Sequence, residues 1–426
     1  MSTVRKRIAV IGSGISGLAS AYFLQRAHDV VLFEAGGYLG GHANTVDISV
    51  GGQACAADTG FLVYNERTYP NLVALFNELG VETIGSDMSF AVSAGSGALE
   101  WAGTNLDTVF AQRRRLLSPA FWGMLRDILH FNRHARQFLA ESEARATPLG
   151  ELLSRQGYGA LFRDAYLLPM AAAIWSSAPR DILDFPAATF LRFCLNHALL
   201  QVNDRPQWRT VGGGSRRYVQ ALAATLTDYR LNTPVQMVRR AGDGWHVHSA
   251  RGAELFDTVV FATHAPTTLA LLADADLEQR AVLGALRYQP NTAWLHTDTR
   301  LMPRLRKTWS AWNYLSQPQD DGSQPVCVSY WLNQLQDLPL EQPVMVTLNP
   351  ITPPEPSQVL ARFDYEHPIM DQAAIGAQQS LQQIQGKDGL WYAGAWTGYG
   401  FHEDGLKSAL RIATAFGVAP GWSTLP

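Results

Sequence analysis

The apolar run Arg7–Ile11 (RIAVI) passes directly into GSGISG and then into LASAYFLQRA. No other stretch restricts the fold as tightly. A short buried strand, a glycine turn and a helix follow in that order, with Gly12, Gly14 and Gly17 at the spacing of a dinucleotide-binding turn. Gly12 permits the turn, Gly14 lets backbone amides approach a pyrophosphate, and Gly17 allows the helix to pack closely on the strand. The helix start, with Ser16 in its first turn, favours negative charge. A second strand, DVVLFEA, ends at Glu34 and Ala35, about 20 residues beyond the glycines, where an acid accepts hydrogen bonds from ribose hydroxyls. Arg5-Lys6-Arg7 ahead of this apolar stretch has the outline of a secretory leader, but the glycines at functional spacing argue against it.

A second glycine-rich turn, EAGGYLGGH (34–42), follows the acid at once, which a simple nicotinamide dehydrogenase rarely shows. Here the chain resembles the flavin-containing amine oxidoreductase superfamily of monoamine oxidases, phytoene-type desaturases and protoporphyrinogen oxidases. The match rests on Gly12, Gly14, Gly17, Glu34, Gly40 and Gly41. It implies non-covalent FAD. It departs at His42, where relatives carry an arginine on the cofactor phosphates, so the charge expected there is weaker or pH-dependent. DTGFLVYNERTYPNLVALFNELGV (58–81) and GYGFHEDGL further resemble a bacterial branch of predicted NAD/FAD-binding proteins linked to cyclopropane-fatty-acid-synthase-like methyltransferases. That likeness implies a lipid substrate and adds Gly60 and Phe61 as cofactor contacts.

The resemblance extends to LWYAGAWTGYGFHEDGLKSAL (390–410), which has the layout of a C-terminal flavin motif. It implies contacts from Gly394, Trp396, His402, Glu403, Asp404, Gly405 and Leu406, with the helix start stabilising charge on the reduced ring. Relatives place an acid after the Ala-Gly pair. This chain has Ala395 and Trp396, so Glu403 or Asp404 is expected to substitute. Val235 is implied beside the adenine.

The fold class expected is α/β: a discontinuous Rossmann-like FAD-binding domain with an inserted α+β substrate domain carrying a mixed sheet and helices. The FAD domain is assigned to 1–85, 205–270 and 385–426, and the substrate domain to 86–204 and 271–384. Residues 107–140 carry helix formers at helical spacing, interrupted at Pro119, which predicts two helices. The later insert is rich in β-branched and aromatic residues, including Trp294, Trp309, Trp312, Tyr314, Tyr330 and Trp331, which read either as cavity walls or as core.

A net charge of −3 excludes a global basic field for nucleic acid. Cys55, Cys194 and Cys327 form neither a CxxC nor a metal-ligand spacing, so no metal is expected and a reducing cytoplasm fits. Arg113, Arg114, Arg115, Arg126, Arg133 and Arg136, set against Asp107 and Asp127 beside Phe121 and Trp122, read either as a peripheral contact at the inner face of a membrane or as a solvated helix face. Lys307 is the lysine in the right part of the chain for a flavin-side role, with a surface position as the alternative. His402 faces the flavin or braces its loop. Thr263 and His264 end a strand and carry no catalytic assignment.

The reaction expected is hydride removal from an apolar or lipid substrate, a desaturase or dehydrogenase. Alternatives are a flavin amine oxidase and a flavin protein serving isomerisation or binding without net oxidation. The electron acceptor is not legible.

Overall fold

The computed structural model describes residues 4–145, 147–175, 179–201, 205–317 and 327–425. A five-stranded parallel sheet forms its nucleotide-binding half. Its strands are β1 (Arg7–Ile11), β2 (Asp29–Phe33), β3 (Tyr229–Arg230), β4 (Thr258–Phe261) and β5 (Leu390–Tyr392), in the spatial order β3-β2-β1-β4-β5. Alternation along β1 explains the layering. Ile8 and Val10 pack with helices α1 (Ile15–Leu24) and α2 (His402–Ala415). Ala9 and Ile11 face Val238, Trp245 and Val247 of an antiparallel meander spanning Val235–Phe256. A strand buried on both faces needs apolar residues throughout, and RIAVI supplies them after its first position.

The second half is a seven-stranded sheet in the order Val359–Pro368, Tyr288–His296, Met345–Leu348, Cys327–Trp331, Trp312–Ser316, Phe90–Ala94, Leu99–Ala102. It is antiparallel except where Trp312–Ser316 runs parallel to Phe90–Ala94. The mixed sheet expected for the substrate domain is present, fed by both insert segments. Helices from Pro119–Arg145 to Ala187–Asn196 cover it through Phe121, Phe131, Phe138, Phe162 and Phe190.

Three expectations change. Pro119 does not break a helix; it opens a single helix reaching Arg145, preceded by short turns at Leu106–Val109 and Arg113–Leu117. Proline suits a first helical position because its missing N–H has no partner to lose there. Phe121, expected at the surface, is fully buried, and Trp122 is exposed. The segment boundaries also shift. Val282 and Leu283 of the helix Leu277–Gly284, and Ala374 and Ala377 of Gln372–Ser380, join the core of Ala9 and Val259, so cuts at 270/271 and 384/385 divide the nucleotide-binding core. The strand Thr83–Ser86 straddles the 85/86 boundary and pairs with Trp208–Val211. Composition reveals an amphipathic helix but not which sheet its apolar face meets.

Candidate active site

The carboxyl ends of β1, β4 and β5 open into a cavity that continues between the two halves, where ligands of open α/β sheets bind. The two glycine turns are joined there: Gly40 N–H donates to the Ser13 carbonyl at 3.0 Å, and Gly14 and Gly40 form a parallel bridge. A Cβ on Gly17 would stand 1.8 Å from the Gly12 carbonyl oxygen, so the helix can sit this close to the turn only with glycine. Gly14 differs. A Cβ there would meet no protein atom within 4 Å; it would enter the open space above the turn.

Glu34 is held in place by the protein. Its Oε2 accepts from Ser13 N–H at 2.9 Å and Ser13 Oγ–H at 2.6 Å, and its Oε1 accepts from Gly36 N–H at 2.7 Å. About one of the roughly four acceptor positions of a carboxylate is left for a ribose hydroxyl. Ala35 is exposed, and Val235 begins the meander half-buried.

His42 lines the cavity and stacks on Tyr365 at 4.9 Å, whose hydroxyl is fixed by Thr59 and Asn44. Burial, reinforced by His367, His264 and His402, holds the His42 pKa well below its ordinary value. A ring so held carries little charge at neutral pH, in line with the weaker of the two charges expected there. Its buried Nε2 has no hydrogen-bond partner among the described residues. Buried polar atoms are rarely left unpaired, so a group from a bound molecule is the natural partner.

Across the cavity, Phe61 stacks on His402 with ring centroids 3.7 Å apart, and His402 Nε2 meets the Tyr218 hydroxyl at 2.9 Å. Burial pushes the His402 pKa down to about 3. His402 opens α2, whose first N–H groups have no intrahelical partner. Ser16, Gly60, Gly394 and Trp396 also line the cavity, and Trp396 Nε1–H donates to the Thr263 carbonyl at 3.3 Å.

Four cofactor contacts expected from the C-terminal motif and the expected catalytic lysine lie outside the cavity lining. Glu403 is turned away from the cavity: Oε1 accepts from the Asn71 side chain at 2.7 Å and Oε2 from Leu72 N–H at 3.0 Å, capping the helix Pro70–Glu78. Asp404 folds back on its own loop, accepting from Tyr399 N–H and Phe401 N–H at 3.1 Å each, with burial pushing its pKa up to about 6. Gly405 packs α2 against α1, since a Cβ there would come within 2.8 Å of Ile15. Leu406 is buried in the core. Lys307, the catalytic lysine candidate, lies outside the cavity lining and pairs with Asp107 at 3.1 Å on the surface. Asp404 is satisfied by backbone donors of its own loop and Glu403 by donors of the distant helix Pro70–Glu78, rather than by a ligand.

Sequence reasoning missed His197, His367, Tyr365 and Asp58. His197 lines the cavity; its Nδ1 donates to the Phe193 carbonyl at 3.0 Å, so Nε2 keeps a bare lone pair, and burial pushes its pKa down to about 4. Asp58, buried with its pKa raised to about 6, ties Ser215, Thr45 and Gln336 together. An isolated histidine or aspartate in a helix or strand gives no local signal of such partners. Of the aromatic residues expected as walls, Trp312 and Tyr330 line the cavity. Trp294 lies under Arg362, and Trp309 packs edge-on against Trp331.

The open space above Gly14, the paired glycine turns, the unpaired helix starts and the orphaned His42 Nε2 fit FAD. A family model described as flavin containing amine oxidoreductase matches residues 15–416. The chain belongs to that family. It is a FAD-dependent oxidoreductase. Solved structures similar to it include a fatty acid isomerase from P. acnes that produces CLA (16% identity, TM-score 0.69, 96% of this chain and 98% of that one). They also include a putrescine oxidase bound to putrescine (14%, 0.66, 97% and 99%) and cyclohexylamine oxidase from Brevibacterium oxydans IH-35A (16%, 0.65, 97% and 100%). At these identities the likeness is one of fold. A comparison with curated proteins finds no match. Among the described residues no helix is long and apolar enough to cross a membrane, and no metal-ligating cluster occurs.

Proposed function

We propose that this flavin oxidoreductase removes hydride from an apolar substrate, an acyl lipid first among candidates, acting as a desaturase or dehydrogenase. The observation that carries the reading is the cavity wall beyond the glycine turns. Leu62, Val63, Met88, Ile174, Trp175, Phe193, Leu199, Trp208, Trp312 and Leu348 line it. Among the described residues Glu366 is the one carboxylate in the lining, and it is hydrogen-bonded to His264 at 3.1 Å. A diamine cation would find that single half-exposed carboxylate and no acid among the apolar side chains. An acyl chain would find mostly aliphatic and aromatic side chains around it.

When bound, FAD supplies the two-electron acceptor. The chain's residues do the rest: aromatic and aliphatic walls exclude water, the two glycine turns and α1 hold the phosphates, the start of α2 offers donors to the bound group, and the unpaired His42 Nε2 offers an acceptor. His197 Nε2, the bare acceptor within the apolar region, supports the second reading, isomerisation without net oxidation. A base in a dry cavity can relocate a proton as well as remove one.

Anaerobic mixing of the FAD-loaded protein with acyl phospholipids, free unsaturated fatty acids or diamines, followed by mass analysis, separates these readings. Bleaching of the flavin band by a lipid, with a product two hydrogens lighter, is the result expected. A product of unchanged mass assigns isomerisation. Bleaching by diamines alone overturns the lipid reading.

A further inference from the structure

We infer that the helix Pro119–Arg145, with the turn that precedes it, is a docking face for an anionic lipid surface. Trp122, Arg126, Leu129, Arg133 and Arg136 are all exposed and follow one another at steps of four and three residues. Such steps keep side chains on one face of a helix, here over about 21 Å at 1.5 Å per residue. The opposite face, Met124, Phe131 and Phe138, is buried against the substrate half. The outward stripe carries two large apolar residues, three arginines and no acid.

The turn before the helix extends this face. Leu117 is 89% exposed and Leu106 77%. The Trp122 ring is fixed where turn and helix meet: its Nε1–H donates to the Leu116 carbonyl at 3.0 Å, and it packs on Phe110 at 5.0 Å. Arg114 and Arg115 donate to the Ala98 carbonyl at 2.9 and 2.7 Å and have no carboxylate partner among the described residues. Arg113 and Lys307 share Asp107. The acids on this helix are all engaged: Asp127 accepts from Gly159 N–H and from Arg126 of the stripe, Glu141 pairs with Arg155, and Glu143 with Arg192.

Charge sign selects the occupant. Exposed leucine and tryptophan beside Arg114, Arg115, Arg133 and Arg136, which have no carboxylate partner among the described residues, match an interface that is negative at its surface and apolar just beneath it. A second copy of this chain would bring the same positive charge to the contact. The inference stands on the surface alone and does not depend on the substrate reading.

The test is co-sedimentation of the FAD-loaded protein with vesicles of phosphatidylcholine and phosphatidylglycerol in equal parts, and with pure phosphatidylcholine, at low and high salt. Binding to the anionic vesicles at least tenfold tighter than to the neutral ones, weakened by salt, is expected. Leu117→Asp and the pair Arg133→Glu with Arg136→Glu should each reduce it at least tenfold with flavin content and melting temperature unchanged. Arg251→Glu, an exposed charge reversal in the other half, should leave it intact. The inference is overturned by equal binding to both vesicle types, by variants that bind like wild type, or by an equal loss in Arg251→Glu. Binding to polyglutamate but to neither vesicle would assign the face to an acidic protein instead.

Discussion

The Tyr218 hydroxyl lies 2.9 Å from His402 Nε2. The phenol is fully buried and has no other hydrogen-bond partner among the described residues, so its O–H donates to Nε2, and the neutral imidazole carries its proton on Nδ1. Tyr218→Phe removes this constraint and leaves a buried Nε2 unpaired. A loss of about 1–2 kcal/mol in unfolding free energy is expected. Weaker FAD binding should accompany it, together with a changed His402 tautomer by nitrogen NMR of the cofactor-free protein. An unaltered tautomer would show that the ring is set by something other than Tyr218.

The two glycines of the first turn should separate binding from folding. At Gly17 a methyl group would collide with the Gly12 carbonyl, and Gly17→Ala should destabilise the cofactor-free protein by about 1–3 kcal/mol. Gly14 has φ −61° and ψ 177°, within reach of alanine, and its Cβ direction is open. Gly14→Ala should therefore leave cofactor-free stability within about 0.5 kcal/mol of wild type and still weaken FAD. Titration of FAD fluorescence beside urea unfolding reads both quantities. Equal FAD affinity in Gly14→Ala would place the pyrophosphate away from this turn.

Glu403 should behave as a structural residue. Glu403→Ala strips the acceptor from Asn71 and Leu72 at the start of a buried helix, and a loss on the order of 1–3 kcal/mol is expected, with FAD affinity kept. A large fall in FAD affinity without loss of stability would return Glu403 to the cofactor.

Stability should fall on mild acidification. Burial pushes His197, His296 and His367 down to about 4 and His402 to about 3, so the unfolded chain takes up protons between pH 6.5 and 4 that the folded chain refuses. Stability is lost as pH falls through that window. Asp58 and Asp404, raised to about 6 by burial, act in the opposite sense; what they contribute is present below about 4 and lost as pH rises through 6. With His42, also held well below its ordinary value, depressed histidines outnumber the two raised carboxylates, so stability should rise with pH by an amount on the order of a few kcal/mol per pH unit near pH 5. Urea unfolding from pH 7 to 5 measures the slope. A level profile would mean that the histidines are hydrated.

Features whose physics is local were legible in the sequence. Strand, glycine turn, helix and Glu34 form one continuous run, and the structure keeps them in one unit with β1 and β2 paired in register from Arg7↔Asp29 to Ile11↔Phe33. The second glycine turn was legible for the same reason. Roles decided by distant neighbours were not. Glu403 looks like a ligand-facing acid until Asn71 arrives from the other side of the core. Lys307 looks catalytic until Asp107 draws it outward. His197 follows the helix Ala187–Asn196 with no motif around it, and its bare lone pair exists only because the Phe193 carbonyl occupies Nδ1.

Helix α2 lies against α1 although almost the entire chain separates them, and β5 completes a sheet begun by β1. On the ribosome, the first glycine turn emerges long before the strand and helix that wall its cavity. Contacts of such sequence separation form late and slowly. Cofactor capture therefore waits until residues 390–415 have been made, and a nascent chain halted before them exposes the apolar face of α1. Such a chain would be a target for chaperones and proteases, and FAD retention a record that synthesis passed that point.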